Sequence, residues 1–143
     1  MAELHGFAEM LSALKAKQAK VEIATPQALD KAAHRVESEV KKLLALSSHP
    51  PGTPTPSAPG SPPSLVTGNL RRSVQVSDVD GGGSRWRATV SSRLVYSRIQ
   101  EFGGTAGRGS HLPARPYMAP GLALASGAIG DDFRRAWAEA LQS

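Results

Sequence analysis

Histidines are the side chains best suited to bind a metal or to transfer protons, and the four in this chain lie far apart: His5, His34, His49 and His111. None of them forms an HExxH pair or any other metal-ligand spacing. The chain has no cysteine, so thiolate catalysis, thiolate metal sites and a disulfide framework are excluded. We therefore expect neither a metal ion nor a cofactor.

The remaining reactive side chains form no catalytic arrangement either. Glu101 is the only acidic residue between Asp80 and Asp131, and a single carboxylate is not an acid–base pair. No GxSxG element marks a nucleophilic serine. Residues 103–109 read GGTAGRG, but no GK[ST] follows, so we interpret the segment as a mobile glycine-rich loop and not as a phosphate site. The sequence predicts that the protein is not an enzyme.

The composition indicates one small domain with a thin core. The chain has 143 residues, of which 5% are aromatic, and much of its apolar content is alanine, which buries little area. We expect such a fold to gain stability from partners or from self-association. No apolar run is long enough for a signal peptide or a membrane-spanning helix, which predicts a soluble protein that matures in a cytoplasm.

The formal net charge is +5, and the basic residues are unevenly distributed. All six lysines lie between Lys15 and Lys42, whereas ten of the eleven arginines lie between Arg71 and Arg135. A basic C-terminal half is typical of proteins that bind nucleic acid. Arginines scattered without aromatic neighbours are equally typical of a mixed-charge surface used in protein contacts, and we favour that interpretation.

The first 46 residues predict a helical region. A first helix, over about residues 3 to 20, carries an apolar stripe at helical spacing: Leu4, Phe7, Met10, Leu11 and Leu14. Thr25 and Pro26 predict an N-cap and first position of a second helix, which runs to about residue 46. The sequence leaves open whether the two helices bend apart at Thr25 or continue as one kinked rod.

Residues 47–66 form a proline-rich break, because seven of the eleven prolines lie there. Dense prolines remove backbone donors and favour extended conformations. Two interpretations stay open: a disordered linker, or an extended arm that lies on a neighbouring subunit. A structureless segment of this length is unusual inside a compact domain, which supports the arm.

Residues 67–143 predict an α+β core. Val74, Val76 and Val79 suit one strand, residues 81–83 a glycine turn, and residues 85–92 a second strand with alternating faces. A short helix over residues 94–102 should end at Gly103, a glycine-rich loop should cover residues 105–111, and a last helix should cover residues 120–141. The whole chain is then one α+β domain: N-terminal helices, a small antiparallel sheet built on a hairpin, and a C-terminal helix packed on it.

Three short motifs remain, and each has a structural interpretation. In TGNLRRSV, residues 67–74, Thr67 can cap a helical turn that points Leu70 inward and Arg71 and Arg72 outward. Both arginines then suit salt bridges across a subunit boundary. In VYSRIQEFGG, residues 95–104, an apolar stripe forms at i, i+4, i+7, and Glu101 should lie nearer the open side. This stripe consists of Val95, Ile99 and Phe102.

The third motif, LPARPYMAPGL at residues 112–122, contains three prolines within eight residues. They should hold Arg115, Tyr117 and Met118 in a rigid extended stretch before the last helix. Rigid segments suit protein contacts because they lose little entropy on docking. Core packing explains Tyr117 and Met118 equally well, and both interpretations stay open.

Together and in this order, the three motifs resemble the "gene product ten" family of long-tailed phages, described as tail components or as neck and tail-completion proteins. The family pattern is T-G-x-L-R-x-S, a strand pair, Y-A-x-x-x-E-F-G and P-A-R-P-F-L-x-P-A-L. Matching residues are Thr67, Gly68, Leu70, Arg71, Ser73, Tyr96, Glu101, Phe102, Gly103, Pro113, Ala114, Arg115, Pro116 and Pro120. Departures are Ser97 for Ala, Tyr117 for Phe, Met118 for Leu and Gly121 for Ala. The resemblance covers about residues 61–124.

The resemblance implies a structural virion protein of the neck or tail top, assembled in the bacterial host cytoplasm. It would form a six- or twelve-fold ring that completes the tail or joins it to the head connector. Implied partners are further copies of the chain, the head connector, and the tail tube or tail terminator, with passive contact to DNA in the channel and none to a membrane. The predicted subunit-interface or docking residues are Arg71, Arg72, Glu101, Phe102, Arg115, Pro116 and Tyr117. The alternative from another class is a nucleic-acid-binding module that uses Arg71, Arg72, Arg85, Arg87, Arg93 and Arg98.

Overall fold

The computed structural model describes residues 2–52 and 56–143, with side chains from Gly6 onward. The predicted α+β class is confirmed, with long helices at both ends of the chain and short antiparallel strand pairs between them. The helices are α1 (Ala2–Leu43), α2 (Asn69–Ser73), α3 (Ser97–Phe102) and α4 (Met118–Gln142). The strands are β1 (Val74–Val76), β2 (Asp80–Gly82), β3 (Arg85–Arg87), β4 (Val90–Ser92), β5 (Gly104–Thr105) and β6 (His111–Leu112).

The two predicted N-terminal helices join into one. α1 is a single helix of 42 residues that contains Pro26 in its interior, and it spans about 63 Å at 1.5 Å per residue. The prediction that Thr25 caps a second helix is therefore wrong. Its hydroxyl instead donates a hydrogen bond of 2.7 Å to the carbonyl of Val21, one turn earlier in the same helix.

α4 bridges α1 across this proline, which explains why the helix continues. Proline inside a helix removes a hydrogen bond and costs about 3 kcal/mol. The Trp137 indole N–H donates to Thr25 Oγ1 at 3.0 Å. On one side of the proline, Lys17 Nζ lies 2.5 Å from the carbonyl of Leu141, and on the other side Arg35 binds Asp132. Contacts on both sides hold α1 in helical form through Pro26.

Small residues let α1 and α4 approach closely. A Cβ placed on Gly121 would lie 2.4 Å from Val40 Cγ2 and 3.1 Å from its backbone nitrogen, so only glycine fits this crossing. Large apolar side chains recur along α4 at intervals of seven, four, four and four, at Leu122, Ile129, Phe133, Trp137 and Leu141. This stripe is only partly buried, because Leu122, Trp137 and Leu141 are exposed; the buried residues of α4 are Gly121, Ala125 and Asp132. The main partner of α4 is α1 and not the sheet. The core combines Val36, Val40, Leu44, Val74, Tyr117 and Ala125.

The predicted β-hairpin is present but bent in the middle. β1 pairs with β4 and β2 pairs with β3, both antiparallel. Between the two pairings, residues 77–79 oppose only residues 88–89, which is a β-bulge. The first strand therefore ends at Val76 and does not reach Val79. The turn lies at residues 83–84, whereas we expected a glycine turn over residues 81–83. The predicted alternation is confirmed, since Trp86, Ala88 and Val90 are half-buried while the residues between them are exposed.

The described part of the proline-rich segment closes into a loop on its own chain. The Leu65 N–H donates to the Ser47 carbonyl at 2.7 Å, and the His49 N–H donates to the Leu65 carbonyl at 3.2 Å. The two ends of the segment are thereby held side by side. Further along, the Gly60 N–H donates to the Ala114 carbonyl at 2.9 Å, which fastens the loop to the third motif.

Candidate docking site

Glu101 fastens the second motif to the third. It is buried on the inner side of α3, so the prediction that it lies nearer the open side is wrong. Its Oε2 accepts hydrogen bonds from the backbone N–H groups of Tyr117 at 2.7 Å and Met118 at 2.9 Å, and its Oε1 accepts one from Ala119 at 3.0 Å. The first N–H groups of a helix have no partner inside the helix and attract negative charge. The Glu101 carboxylate is therefore the N-terminal cap of α4.

Gly103 ends α3 and turns the chain into β5. Its N–H donates to the Ile99 carbonyl at 2.8 Å, and its backbone φ of 69° lies in the left-handed region that favours glycine. The predicted glycine stop is confirmed. Beyond it, β5 pairs with β6, so the glycine-rich loop that we expected over residues 105–111 is shorter, and Thr105 and His111 belong to paired strands. The Ala106 N–H donates to the Ser110 carbonyl at 2.7 Å and closes the loop tip.

Arg115 joins three segments of the chain. Its side chain is buried, its N–H donates to the Gln100 carbonyl at 2.7 Å, and its Nε donates to the Ser57 carbonyl at 2.8 Å. It thus connects α3, the lead into α4 and the proline-rich loop. Pro116 beside it is half-buried.

Tyr117 is the largest fully buried side chain, with 1% of its surface exposed. Its hydroxyl donates to the Ser97 carbonyl at 3.2 Å, at the first turn of α3. Burial, together with the nearby negative charge of Glu101, raises the pKa of the Tyr117 hydroxyl to about 12. Core packing therefore accounts for Tyr117.

This pKa predicts an alkaline loss of stability. The folded protein favours the neutral phenol, so the stabilisation is complete below the unfolded pKa of about 10 and is lost as the pH rises towards 12. We expect the difference in unfolding free energy between wild type and Tyr117→Phe to shrink over this interval. Urea titrations from pH 8 to about 11.5 measure it, and Tyr96→Phe, at an exposed position, is the control. A difference that stays constant with pH would contradict the role of the buried hydroxyl.

Arg71 and Arg72 lie apart from this group, on the exposed side of α2, as predicted. Arg71 Nε donates to the Lys41 carbonyl near the end of α1 at 3.2 Å, and Arg72 Nη2 donates to Asn69 Oδ1 at 2.5 Å. The residue that caps α2 is Gly68, with a φ of 76°, although the Thr67 hydroxyl accepts the Asn69 N–H at 3.3 Å. That both arginines form salt bridges across a subunit boundary stays a prediction.

Three exposed apolar side chains lie in α3 or in the turn directly before it, and we call Val95, Tyr96 and Phe102 the α3 patch. Val95 is 99% exposed and Phe102 is 73% exposed. The predicted helical stripe of Val95, Ile99 and Phe102 does not form, because Val95 precedes the first residue of α3, and of the three only Ile99 is half-buried. α3 is too short for its face to be set by periodicity; the contacts of Glu101 and Ser97 with Tyr117 bury Glu101 and leave Phe102 exposed.

Sequence reasoning missed one ion pair between the long helices. Asp132 is buried on the α1 side of α4, and Arg35 donates to its Oδ2 from Nε at 2.9 Å and from Nη2 at 2.6 Å. The hydrogen bonds from Arg35 hold the pKa of Asp132 below its usual value. The stabilisation is therefore present above about pH 4 and is lost at lower pH. The sequence held one signal for this ion pair, because Asp132 lies between Ile129 and Phe133 on the apolar side of α4.

The described histidines are not gathered into a site. Within residues 2–52 and 56–143, no group of three or more His, Cys, Asp or Glu side chains is placed to hold a metal ion. His34 Nδ1 lies 2.9 Å from Glu37 Oε2 within α1, and His49 Nδ1 lies 3.1 Å from the carbonyl oxygen of Pro50. The side chain of His5 lies outside the described residues. Among the described helices, none is long and apolar enough to cross a membrane.

The fold is a small α+β domain in which the three motifs contact one another and exposed apolar side chains lie in and next to α3. The chain belongs to the family described as "Bacteriophage HK97-gp10, putative tail-component", which matches residues 7–103. The resemblance to the "gene product ten" family is thus confirmed. The match includes α1, which the three motifs did not cover, and ends at Gly103, before the third motif. The family assignment supports a structural role in a phage tail. No curated protein and no solved structure gives a significant match.

Proposed function

We propose that this chain is a structural subunit of the phage neck or tail top. It associates with further copies into a six- or twelve-fold ring that completes the tail or joins it to the head connector. Its partners are the connector on one side and the tail tube or tail terminator on the other. The protein assembles in the host cytoplasm and remains in the virion. Membership in a family of phage tail components supports this role.

The observation that carries the proposal is the α3 patch on its rigid base. Exposed apolar side chains that lie together mark protein contact sites. α3 is bound to α4 through Glu101 and Tyr117 and to the segment before α4 through the Gln100–Arg115 backbone hydrogen bond, and the Arg115 side chain binds the proline-rich loop at Ser57. A surface that is already rigid loses little entropy on docking. The α3 patch therefore suits permanent assembly.

The predicted site residues divide into two groups under this proposal. Phe102, Arg71 and Arg72 are exposed and make the contacts between subunits or with a neighbouring virion protein. The other four, which are buried or half-buried, keep those contacts in position: Glu101, Arg115, Pro116 and Tyr117. We propose the same division for the chain as a whole, in which residues 1–46 and 67–143 form the subunit body. Residues 47–66 supply an arm whose outer edge lies on a neighbouring subunit.

Phe102→Ser should weaken assembly without changing the stability of the isolated subunit. Phe102 is 73% exposed, so its removal leaves no cavity but deletes apolar area from the docking surface. We expect at least a ten-fold loss of association, measured by light scattering of the protein alone and in mixtures with the cognate connector and tail-tube proteins.

Leu46→Ser is the matched control, because Leu46 is 71% exposed, lies three residues after the end of α1 and is not part of the α3 patch. It should assemble like the wild type. A wild-type protein that stays monomeric alone and in both mixtures would contradict the proposed function. Equal losses in the two variants would contradict the assignment of the α3 patch.

Nucleic-acid binding is a second candidate function, favoured by the exposure of all six arginines assigned to it. Against it, the half-buried Trp86 donates its indole N–H to Gly83 at 3.2 Å and is not free to stack on a base. Binding through phosphates should fall steeply between about 50 and 200 mM salt. Fluorescence anisotropy with a labelled duplex measures this, and affinity that is weak at the lower salt concentration removes the candidate.

A further inference from the structure

The N-terminal end of α1 carries side chains that the rest of the chain does not cover. Every described residue from Gly6 to Ala19 is exposed. The C-terminal end of α4 meets α1 at Lys17, through the Leu141 carbonyl. The turns before Lys17 therefore extend past the end of α4. We call residues 6–14 the N-terminal tip.

The N-terminal tip has an apolar face. Phe7, Met10, Leu11 and Leu14 are between 40% and 57% exposed. Phe7, Leu11 and Leu14 repeat at intervals of four and three, and Met10 lies beside them, which is the spacing of a helix seam that packs on another surface. Burying apolar side chains of this kind removes apolar area from water, which favours association.

The same chain also has an apolar groove that none of its described residues fills. The groove lies between α1, α4 and the β-hairpin and has a volume of about 450 Å³. All of its lining residues are Ala, Leu, Ile, Val or Met, among them Leu29, Val36, Val90, Met118 and Leu122. Such a lining offers no hydrogen-bonding group to orient a polar ligand, but it suits an apolar helix face.

The N-terminal tip cannot reach this groove within one chain. Phe7 and Leu29 belong to the same continuous helix, and about 33 Å of helix separates them at 1.5 Å per residue. The occupant must therefore come from another molecule. A second copy carries a face of the required chemistry, and each copy offers both a tip and a groove.

The charges support a second copy as the occupant. Residues 1–14 contain two glutamates and no lysine or arginine, whereas the chain as a whole has a net charge of +5. Residues 15–143 contain 17 basic and 10 acidic residues, a formal charge of +7. An acidic N-terminal segment thus approaches a body of opposite net charge in the neighbouring copy.

We propose that the N-terminal tip of one subunit binds in the apolar groove of the next, so that copies associate head-to-tail. The two surfaces are different, and such an interface closes into a ring when its rotation allows. The inference rests on the proposed self-association and assigns the residues that produce it. It places Phe7, Met10, Leu11 and Leu14 against Leu29, Met118 and Leu122 of the neighbouring copy.

Cross-linking tests the proposal directly, because the chain has no native cysteine. Leu11→Cys and Leu122→Cys are made as separate variants, one with a tag that changes its mass, then mixed and treated with a short bismaleimide linker. Both positions are exposed, so both variants should fold. We expect a covalent pair with one copy of each variant. The double variant should give a ladder of oligomers on a denaturing gel. Leu46→Cys, used in place of Leu122→Cys, should give little product.

Each other outcome has a distinct meaning. Pairs of Leu11→Cys with itself as the main product would show that two tips bind each other and would overturn the proposal. A lack of mixed product, while light scattering still detects oligomers, would also overturn it but would leave the proposed function intact. Monomers under all conditions would overturn both. As an independent measurement, Leu11→Glu should weaken self-association at least ten-fold with unchanged circular dichroism.

Discussion

Glu101→Ala should lower the free energy of unfolding by about 2–4 kcal/mol, because a buried helix end loses its charged cap. The backbone N–H groups of Tyr117, Met118 and Ala119 all donate to this one carboxylate. Without it the buried Tyr117 N–H has no partner at the N-terminus of α4, and the Met118 and Ala119 N–H groups lose the same acceptor. Urea denaturation measures the loss, and hydrogen exchange should become faster at these three amides.

Two variants control for the loss of the cap. Glu101→Gln keeps the size but offers one oxygen in place of two, so its stability should fall between those of the wild type and Glu101→Ala. Glu139→Ala removes an exposed carboxylate from α4, the helix that Glu101 caps, and should change the stability little. Equal stability of Glu101→Ala and wild type would show that water satisfies the α4 terminus as well as Glu101 does.

Gly103→Ala should destabilise the fold by about 3 kcal/mol or more, because it combines backbone strain with a collision. At a φ of 69°, a Cβ would lie 2.7 Å from the Ala114 nitrogen and 2.8 Å from the Leu112 carbonyl oxygen. Both are backbone atoms and cannot rotate away. The expected result is a lower melting temperature and separation of β5 from β6, measured by thermal denaturation and amide exchange.

Gly127→Ala is the control, because the same glycine-to-alanine change should raise the stability there instead of lowering it. Gly127 lies inside α4, and a Cβ added there would meet no atom within 4 Å. Alanine is the better helix former by about 0.5–1 kcal/mol, so this variant should be slightly more stable. Should both variants lose stability equally, the strain and collision at Gly103 are not the cause.

Patterns that arise within one segment could be predicted from the sequence. The alternation of Trp86, Ala88 and Val90 identified a hairpin with one inner face, and Gly103 identified the end of α3. These signals are local, because the period of a strand and the left-handed turn of a glycine depend on neighbouring residues only. The family relationship followed from motif order, and the match over residues 7–103 confirms it.

Features that depend on contacts between distant segments could not be predicted. Thr25 and Pro26 have the local signature of a helix start, yet Trp137 and Asp132 of α4 hold the chain helical on both sides of them. Glu101 has the local signature of a surface residue, because nothing in its own segment shows that three amides approach from a position sixteen to eighteen residues later. The docking roles of Arg71, Arg72 and Phe102 stay predictions.

A bend of α1 at Pro26 would also displace the N-terminal tip. Sharp bends in helices occur mainly at proline, and Phe7 lies about 28 Å from Pro26 along the helix at 1.5 Å per residue. A change of about 10° at Pro26 would therefore move Phe7 by about 5 Å, roughly one helical turn. The contacts of Trp137 and Leu141 with α1 hold the helix segment before Pro26 at its present angle. Small adjustments at the C-terminal end of α4 would thus be amplified at the N-terminal tip, and in the proposed head-to-tail assembly this would let identical subunits fit neighbours at slightly different inclinations.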